Sequence, residues 1–306
     1  MTMADEAAVM GERRRLINLA YRMLGSLGEA EDVAQESYAR WFAMSDDERN
    51  AIDSPAAWLT TVASRTCLTL LGSARARRER YVGEWIPEPL ANRAEWRGEW
   101  QGGHTGGAPV DPADRVTLDE SVNMALLVVL DSMTPAERVA FVLHDVFRYT
   151  FAEVAEVLGR SPAACRKLAS SGRHRVGRAQ RPAPPTSRRA EIVRDFKRAW
   201  EAKDINALIG LLDPDATAIA DGGGLAVTFL EPIHGRESIA RAWIEIANRA
   251  TSDMTVLERT VNGQPGLVAQ QDGVTVTVFA FDIDGERIRH IWVVRNPEKL
   301  RTWPTT

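Results

Sequence analysis

Two all-α helical units followed by an α+β unit are predicted by a change of period along the 306-residue chain. Apolar residues recur at helical spacing through residues 5–80 and again from about 118 to 176. Beyond a proline-rich break they give way to strand-like runs separated by Asn-Gly and Asp-Gly pairs. The predicted fold class is therefore multidomain, with the α+β unit last.

In the first block Leu16, Leu19, Ala20, Met23 and Leu24 form one apolar stripe, and Val33, Tyr38, Trp41 and Phe42 form the next. Gly25 and Gly28 are expected to break the run between them. Ser54 before Pro55 is a helix start, continued by the stripe Trp58, Leu59, Val62 and Cys67. Residues 81–114 carry Pro87, Pro89, Pro109 and Pro112 and a Gly-rich run, and read as a linker. The second helical unit then occupies 115–180, and Arg181–Ser187 is a short, stiff, proline-rich spacer. In the last block, 188–303, helices are expected near 188–203, 204–212 and 236–250. Strands are expected at Met254–Val261, Leu267–Gln271, Val274–Phe281 and Ile288–Val294. Asn262-Gly263, Asp272-Gly273 and Asp284-Gly285 would join these four strands as an antiparallel meander.

About 44% apolar content supports real cores, and no stretch approaches the roughly 18 apolar residues of a membrane span. Met1–Gly11 lacks the basic-then-apolar order of a secretory signal, so a cytoplasmic protein is expected. Cys67 and Cys165 stand far apart inside helical patterns and read as buried thiols, not as a disulfide or a zinc site. Neither a metal nor a cofactor is expected. The net charge of −4 conceals strong segregation. Ser161–Arg189 holds eight Lys/Arg and no acid, and Arg65–Arg80 holds five arginines against Glu79 alone. Between them Tyr81–Asp114 carries six acids and two arginines. Local basic blocks of this kind attract nucleic acid even when the sum is slightly negative.

The segment Thr150–Val176 carries the most chemical information. Phe151, Val154, Ala155 and Leu158 give one helix an apolar face, and Gly159 supplies a tight turn. Ser161 is an N-cap with Pro162 at the first helical position. Cys165, Leu168, Ala169, Gly172 and Val176 fall on the inner face of the second helix, leaving Ala163, Arg166, Lys167, Ser170, Arg173 and His174 outside. Two helices joined by a Gly-bearing turn, the second cationic on its outer face, make a helix-turn-helix. Its second helix fits the major groove, where Arg contacts guanine and Lys and Ser hold phosphates.

Upstream of it, Leu130-Asp131-Ser132-Met133-Thr134-Pro135-Ala136-Glu137-Arg138 resembles the lead-in to region 4 of extracytoplasmic-function (ECF) sigma factors. Ala30-Glu31-Asp32-Val33-Ala34-Gln35-Glu36 resembles region 2.2 of the same family. On a helix Val33 turns inward while Asp32, Gln35 and Glu36 share the opposite side. The resemblance implies that these three bind core RNA polymerase. It further implies that Arg65, Arg75, Arg77 and Arg78 hold the −10 element of promoter DNA. The −35 element would be read by Arg166, Lys167, Ser170, Arg173 and His174. Arg65, Thr69 and Gly72 depart from the Asn, Asp and Arg that the family often has, which bears on −10 preference.

A narrower resemblance spans nearly the whole chain. Trp85-Ile86-Pro87-Glu88-Pro89 is similar to a Trp-Leu-Pro-Glu-Pro linker motif of the subgroup with a SnoaL-like (NTF2-like) C-terminal extension. Asp221-Gly222-Gly223-Gly224 and Asn296-Pro297-Glu298-Lys299-Leu300 are similar to its two extension motifs, although Leu225 stands where a Lys commonly follows the glycines. The resemblance implies a cone-shaped regulatory domain that replaces a separate anti-sigma factor, and an acidic linker that threads a positively lined polymerase channel. Related domains include enzymes with an Asp or His base, for which Asp221, His234, Asp282 and His290 are the candidates. Trp243, Phe279, Phe281 and Trp292 either line a pocket for a small-molecule ligand or fill a core. Two readings stay open: a sigma factor regulated by its own extension, and an NTF2-like enzyme or ligand sensor fused to a helix-turn-helix regulator.

Overall fold

Gly25 ends the first helix because it can take the left-handed conformation (φ 72°), and its N–H closes the last turn on the Tyr21 carbonyl at 2.8 Å. One residue later the Ser26 hydroxyl accepts from the Glu29 N–H and starts the next helix. Gly28 is therefore inside that helix's first turn and does not break the chain as the sequence had implied. The computed structural model describes residues 9–78, 81–92, 122–179, 184–249 and 254–304; side chains of 74–78 and 179 are outside the description.

The first of two units contains α1 (Arg13–Leu24), α2 (Leu27–Ala43), α3 (Asp46–Asn50) and α4 (Pro55–Arg78). Leu16, Leu19 and Met23 of α1, Val33 and Trp41 of α2, and Leu59, Ala63 and Cys67 of α4 are all buried, as period 3.6 requires. After α5 (Met124–Asp131) come α6 (Pro135–Phe141), a π-helical turn at Val142–Val146, α7 (Phe151–Leu158) and α8 (Pro162–Ala179). Thr134 with Glu137, and Thr150 with Glu153, form reciprocal capping boxes that start α6 and α7. Gly159 (φ 61°) ends α7. A Cβ at Gly172 would lie 2.9 Å from the Phe141 Cβ, so glycine is what lets α8 approach α6 so closely.

The second unit contains α9 (Thr186–Glu201), α10 (Ile205–Leu211) and α11 (Arg236–Arg249) with a six-stranded sheet. Its strands are β1 (Leu212–Asp221), β2 (Ile233–His234), β3 (Met254–Val261), β4 (Gln264–Gln271), β5 (Val274–Asp284) and β6 (Arg287–Val294), in the order β2-β1-β6-β5-β4-β3. The expected meander is present as β3 to β6, but β1 joins it in parallel with β6, so the sheet is mixed. The sequence hid β1 because Pro214 and three aspartates read as loop. Ala216, Ala218 and Ala220 nonetheless alternate into the core, and the pairing with β6 shifts register between Leu212 and Thr217, around the proline. Asn262 and Asp272 (φ 49° and 50°) with the glycines after them form the hairpin turns expected between β3, β4 and β5.

One face of the sheet packs on the helices through an aromatic core. Phe196 meets Trp243 and Phe281 edge-on at 6.0 and 5.5 Å, Trp200 meets Phe279 at 5.4 Å, and the Trp200 indole N–H donates to the Trp243 carbonyl at 3.0 Å. Trp243, Phe279 and Phe281 thus fill a core. Trp292 does not belong with them: it pairs with Ala280 across β5 and β6 and lies on the opposite face, alternating with Ile291 and Val293.

Candidate functional site: a helix-turn-helix unit and a buried linker tie

On α2 the buried Val33, Ala34, Ser37 and Tyr38 leave Asp32, Gln35 and Glu36 exposed together, as the helical spacing predicted. Glu36 accepts from Arg40 at 2.5 Å, which stiffens one edge of this acidic surface without hiding it.

Along α8 the division is equally clean. Cys165, Ala169, Gly172 and Val176 are buried, and Arg166, Lys167, Ser170, Arg173 and His174 are all exposed. Two of these cations are held by neighbours. The Arg166 guanidinium sits 5.1 Å from the Phe151 ring centre, and Arg173 donates to Asp145 at 2.9 Å. Such contacts limit side-chain freedom and present the groups in fixed directions. On α4, Arg65 donates to the Glu156 backbone carbonyl of α7 at 2.7 Å. The side chains of Arg75, Arg77 and Arg78 lie outside the described residues.

The second unit gathers the linker and extension motifs into one site. Asp221, the last residue of β1, is fully buried. Its carboxylate accepts from the Tyr81 hydroxyl at 2.6 Å, the Ile86 N–H at 3.0 Å, the Gly223 N–H at 3.0 Å and the Lys299 ammonium at 2.6 Å. Four donors, one of them cationic, make a buried carboxylate tolerable. Lys299 also donates to the Ile86 carbonyl at 2.5 Å, and its nitrogen lies 4.2 Å from the Trp85 ring centre and 5.3 Å from that of Tyr81. Asn296 completes the cluster by donating from Nδ2 to the Tyr81 hydroxyl at 2.8 Å. Burial, then the hydrogen bond to Asp221, pushes the Tyr81 phenol well above its ordinary range, so it stays a donor at any ordinary pH.

The glycines are explained by what crowds them. A Cβ at Gly223 (φ 62°) would stand 2.3 Å from Asn296 Nδ2, and one at Gly222 would stand 2.3 Å from the Ala226 carbonyl oxygen. Leu225 beyond them is exposed and brings no charge to the cluster. Farther along the linker, the Trp303 indole donates to the Pro89 carbonyl at 2.9 Å. Leu90 exchanges hydrogen bonds with Asn262, from its N–H to Oδ1 at 3.1 Å and from the Asn262 N–H to its carbonyl at 2.9 Å. Ala91 then bridges to Val261. Ile86, Pro87, Glu88, Pro89 and Leu90 are buried as a result. The linker is thus pinned at the C-terminal end of β1 and again at the β3–β4 turn, beside the edge strand β3. Sequence reasoning found Trp85–Pro89, Asp221–Gly224 and Asn296–Leu300 but missed Tyr81, Asn262 and Trp303. No spacing marks those three, because each acts across more than 130 residues of sequence.

The remaining acid–base candidates stand elsewhere. Asp282 and His290 are cross-strand partners on the face away from the aromatic core. Burial holds His290 below its usual range while Asp282 opposes the shift. No cluster of three or more His, Cys, Asp or Glu suited to a metal occurs among the described residues, and no helix among them is long and apolar enough to cross a membrane.

Comparison with known proteins agrees with this division. Residues 8–77 match the family described as Sigma-70 region 2, and residues 123–176 match Sigma-70, region 4. Regions 2 and 4 in this order are those of a sigma factor. The chain is 35% identical to the ECF RNA polymerase sigma factor SigJ of Mycobacterium tuberculosis, over 95% of this chain and 92% of that one. It is 29% identical to SigG of the same species, over 91% of this chain and 78% of that protein. The crystal structure of M. tuberculosis SigJ superposes with a TM-score of 0.74 at 32% identity, covering all of both chains. The chain belongs to the ECF sigma factor family: it is an alternative sigma factor that directs RNA polymerase to promoters.

Proposed function

We propose that the C-terminal α+β unit controls this sigma factor by holding its linker, without chemistry of its own and without an obligatory separate anti-sigma factor. The carrying observation is the tie at Asp221, which Tyr81 and Ile86 of the linker and Lys299 of the tail share. A linker that threads the polymerase channel during initiation exposes Ile86–Leu90 to that channel, whereas here these residues are buried on the extension. The two placements exclude each other, so the strength of the tie sets how readily the linker is released. Against catalysis stands the use of Asp221: its carboxylate is filled by four intramolecular donors and has no free face for a substrate proton. The aromatic core supports the same reading, since Trp243, Phe279 and Phe281 are buried and pack edge-on or tilted within a ring cluster completed by Phe196 and Trp200. In this account Asp32, Gln35 and Glu36 bind core polymerase, Arg65 with Arg75, Arg77 and Arg78 serves the −10 element, and the outer face of α8 serves the −35 element. The place of action is the cytoplasm.

Transcription in vitro with core polymerase tests the proposal. Deleting the tail from Asn296 removes Lys299 and frees the linker; deleting everything after Arg181 also removes any positive contribution of the domain. The two truncations are expected to differ from each other and from the full chain by several-fold, which needs only about 1 kcal/mol of coupling. Identical activity of all three makes the extension a passenger.

A further inference from the structure

Between α6 and α7 the chain folds back on itself within a few residues. The π-helical turn at Val142–Val146 is closed by the Phe147 N–H on the Val142 carbonyl at 3.1 Å and the Tyr149 N–H on the Leu143 carbonyl at 3.0 Å. Arg148 makes the return in the left-handed conformation (φ 65°), which costs energy for any residue but glycine. Thr150 then caps α7, and Phe151 is its first residue. The return brings two rings together from either side of the turn. The His144 imidazole stacks on the Phe151 ring, 3.8 Å between centres and 24° between planes. Its Nδ1 donates to the Tyr149 carbonyl at 2.8 Å, since a carbonyl only accepts, and this fixes the imidazole in place. The imidazole fills one face of Phe151, so the Arg166 guanidinium, 5.1 Å from the same ring centre, is left the other.

These three layers matter for what stacking leaves free. A guanidinium held by its face keeps the N–H groups of its edge for hydrogen bonds, whereas Arg173 already spends one on Asp145 at 2.9 Å. Arg166 also stands in the first half of α8, the part of a recognition helix that meets base edges. The planar fork of an arginine fits O6 and N7 of guanine, and holding that plane before binding removes part of the entropy cost of the contact. We propose that His144 and Phe151 are positioning residues that aim Arg166 at a guanine of the −35 element, making it the base-reading arginine of α8. The proposal rests on the −35 role of the outer face of α8 and names the residues that set its specificity.

Base selection by the full chain in complex with core polymerase tests the proposal. The probe is a promoter that the complex transcribes, randomised across its −35 element, with bound fragments sequenced at two salt concentrations. The parent is expected to select guanine at one position, and Arg166→Ala to lose that selection by at least about tenfold. Phe151→Leu keeps an apolar side chain and removes the π face. It is expected to weaken selection at the same position about threefold, leaving the other positions and the salt dependence unchanged. Phe151→Tyr keeps the face and is expected to select like the parent. Should Phe151→Leu fail to fold, His144→Gln keeps a donor for the Tyr149 carbonyl, removes the backing ring and is read in the same way. Parental selection by Phe151→Leu, alongside the loss in Arg166→Ala, overturns the positioning role and leaves the −35 role standing. A loss spread evenly over all sequences also overturns it, because that is general damage to the helix-turn-helix. Parental selection by Arg166→Ala overturns both the positioning and the −35 role of this residue.

Discussion

Lys299→Met is expected to destabilise the C-terminal unit by about 3–5 kcal/mol, because it takes from the fully buried Asp221 carboxylate its one cationic partner among the described residues. The three neutral donors that remain, from Tyr81, Ile86 and Gly223, do not balance a buried charge. Asp221→Asn in the same chain removes the charge while keeping its shape, so the double variant is expected to recover part of the loss. Thermal unfolding of the parent, both single variants and the double variant reads this coupling. The functional counterpart is release of the linker: Lys299 also holds the Ile86 carbonyl and covers the Trp85 ring. Additive losses in the double variant contradict the assignment of Lys299 and Asp221 to one tie.

The second large effect is expected at α2. Replacing both Asp32 and Glu36 by Lys reverses the charge of an exposed surface, so the fold loses little beyond the Glu36–Arg40 pair. Binding to core polymerase is expected to fall by at least about 100-fold, the scale of losing a desolvated charge contact at a protein interface. Affinity measured by fluorescence titration of core polymerase gives the answer, with circular dichroism as the control for folding. Unchanged affinity removes these residues from the polymerase contact.

How much of this was legible in the sequence depended on how local the signal was. The helix-turn-helix was readable because its punctuation is local: the Thr150 cap, the Gly159 turn and the Ser161–Pro162 start all act within four residues of where they stand. The exposed trio on α2 was readable for the same reason, since helical geometry alone decides it. The strand β1 was not, because its stability comes from a parallel neighbour some seventy residues later and a register shift around Pro214. Trp292 was grouped with Phe279 and Phe281 by composition, but only the register of β5 against β6 reveals that it faces the other way. At the tie, the three turn-forming motifs stood out as words, yet nothing local says that an Asp at the end of one strand, a Lys in the tail and a backbone amide in the linker meet at one carboxylate. Tyr81 carried no signal at all until the fold brought it to Asp221.

The central claim, that the extension holds the linker, is tested most directly by hydrogen exchange at the backbone amides of Ile86 and Leu90. Both donate to side chains of the second unit, Asp221 and Asn262. In the free full-length chain they are expected to exchange far more slowly than an open linker, and Lys299→Met is expected to bring Ile86 close to the open rate. Open-linker exchange at both amides in the parent chain contradicts the account.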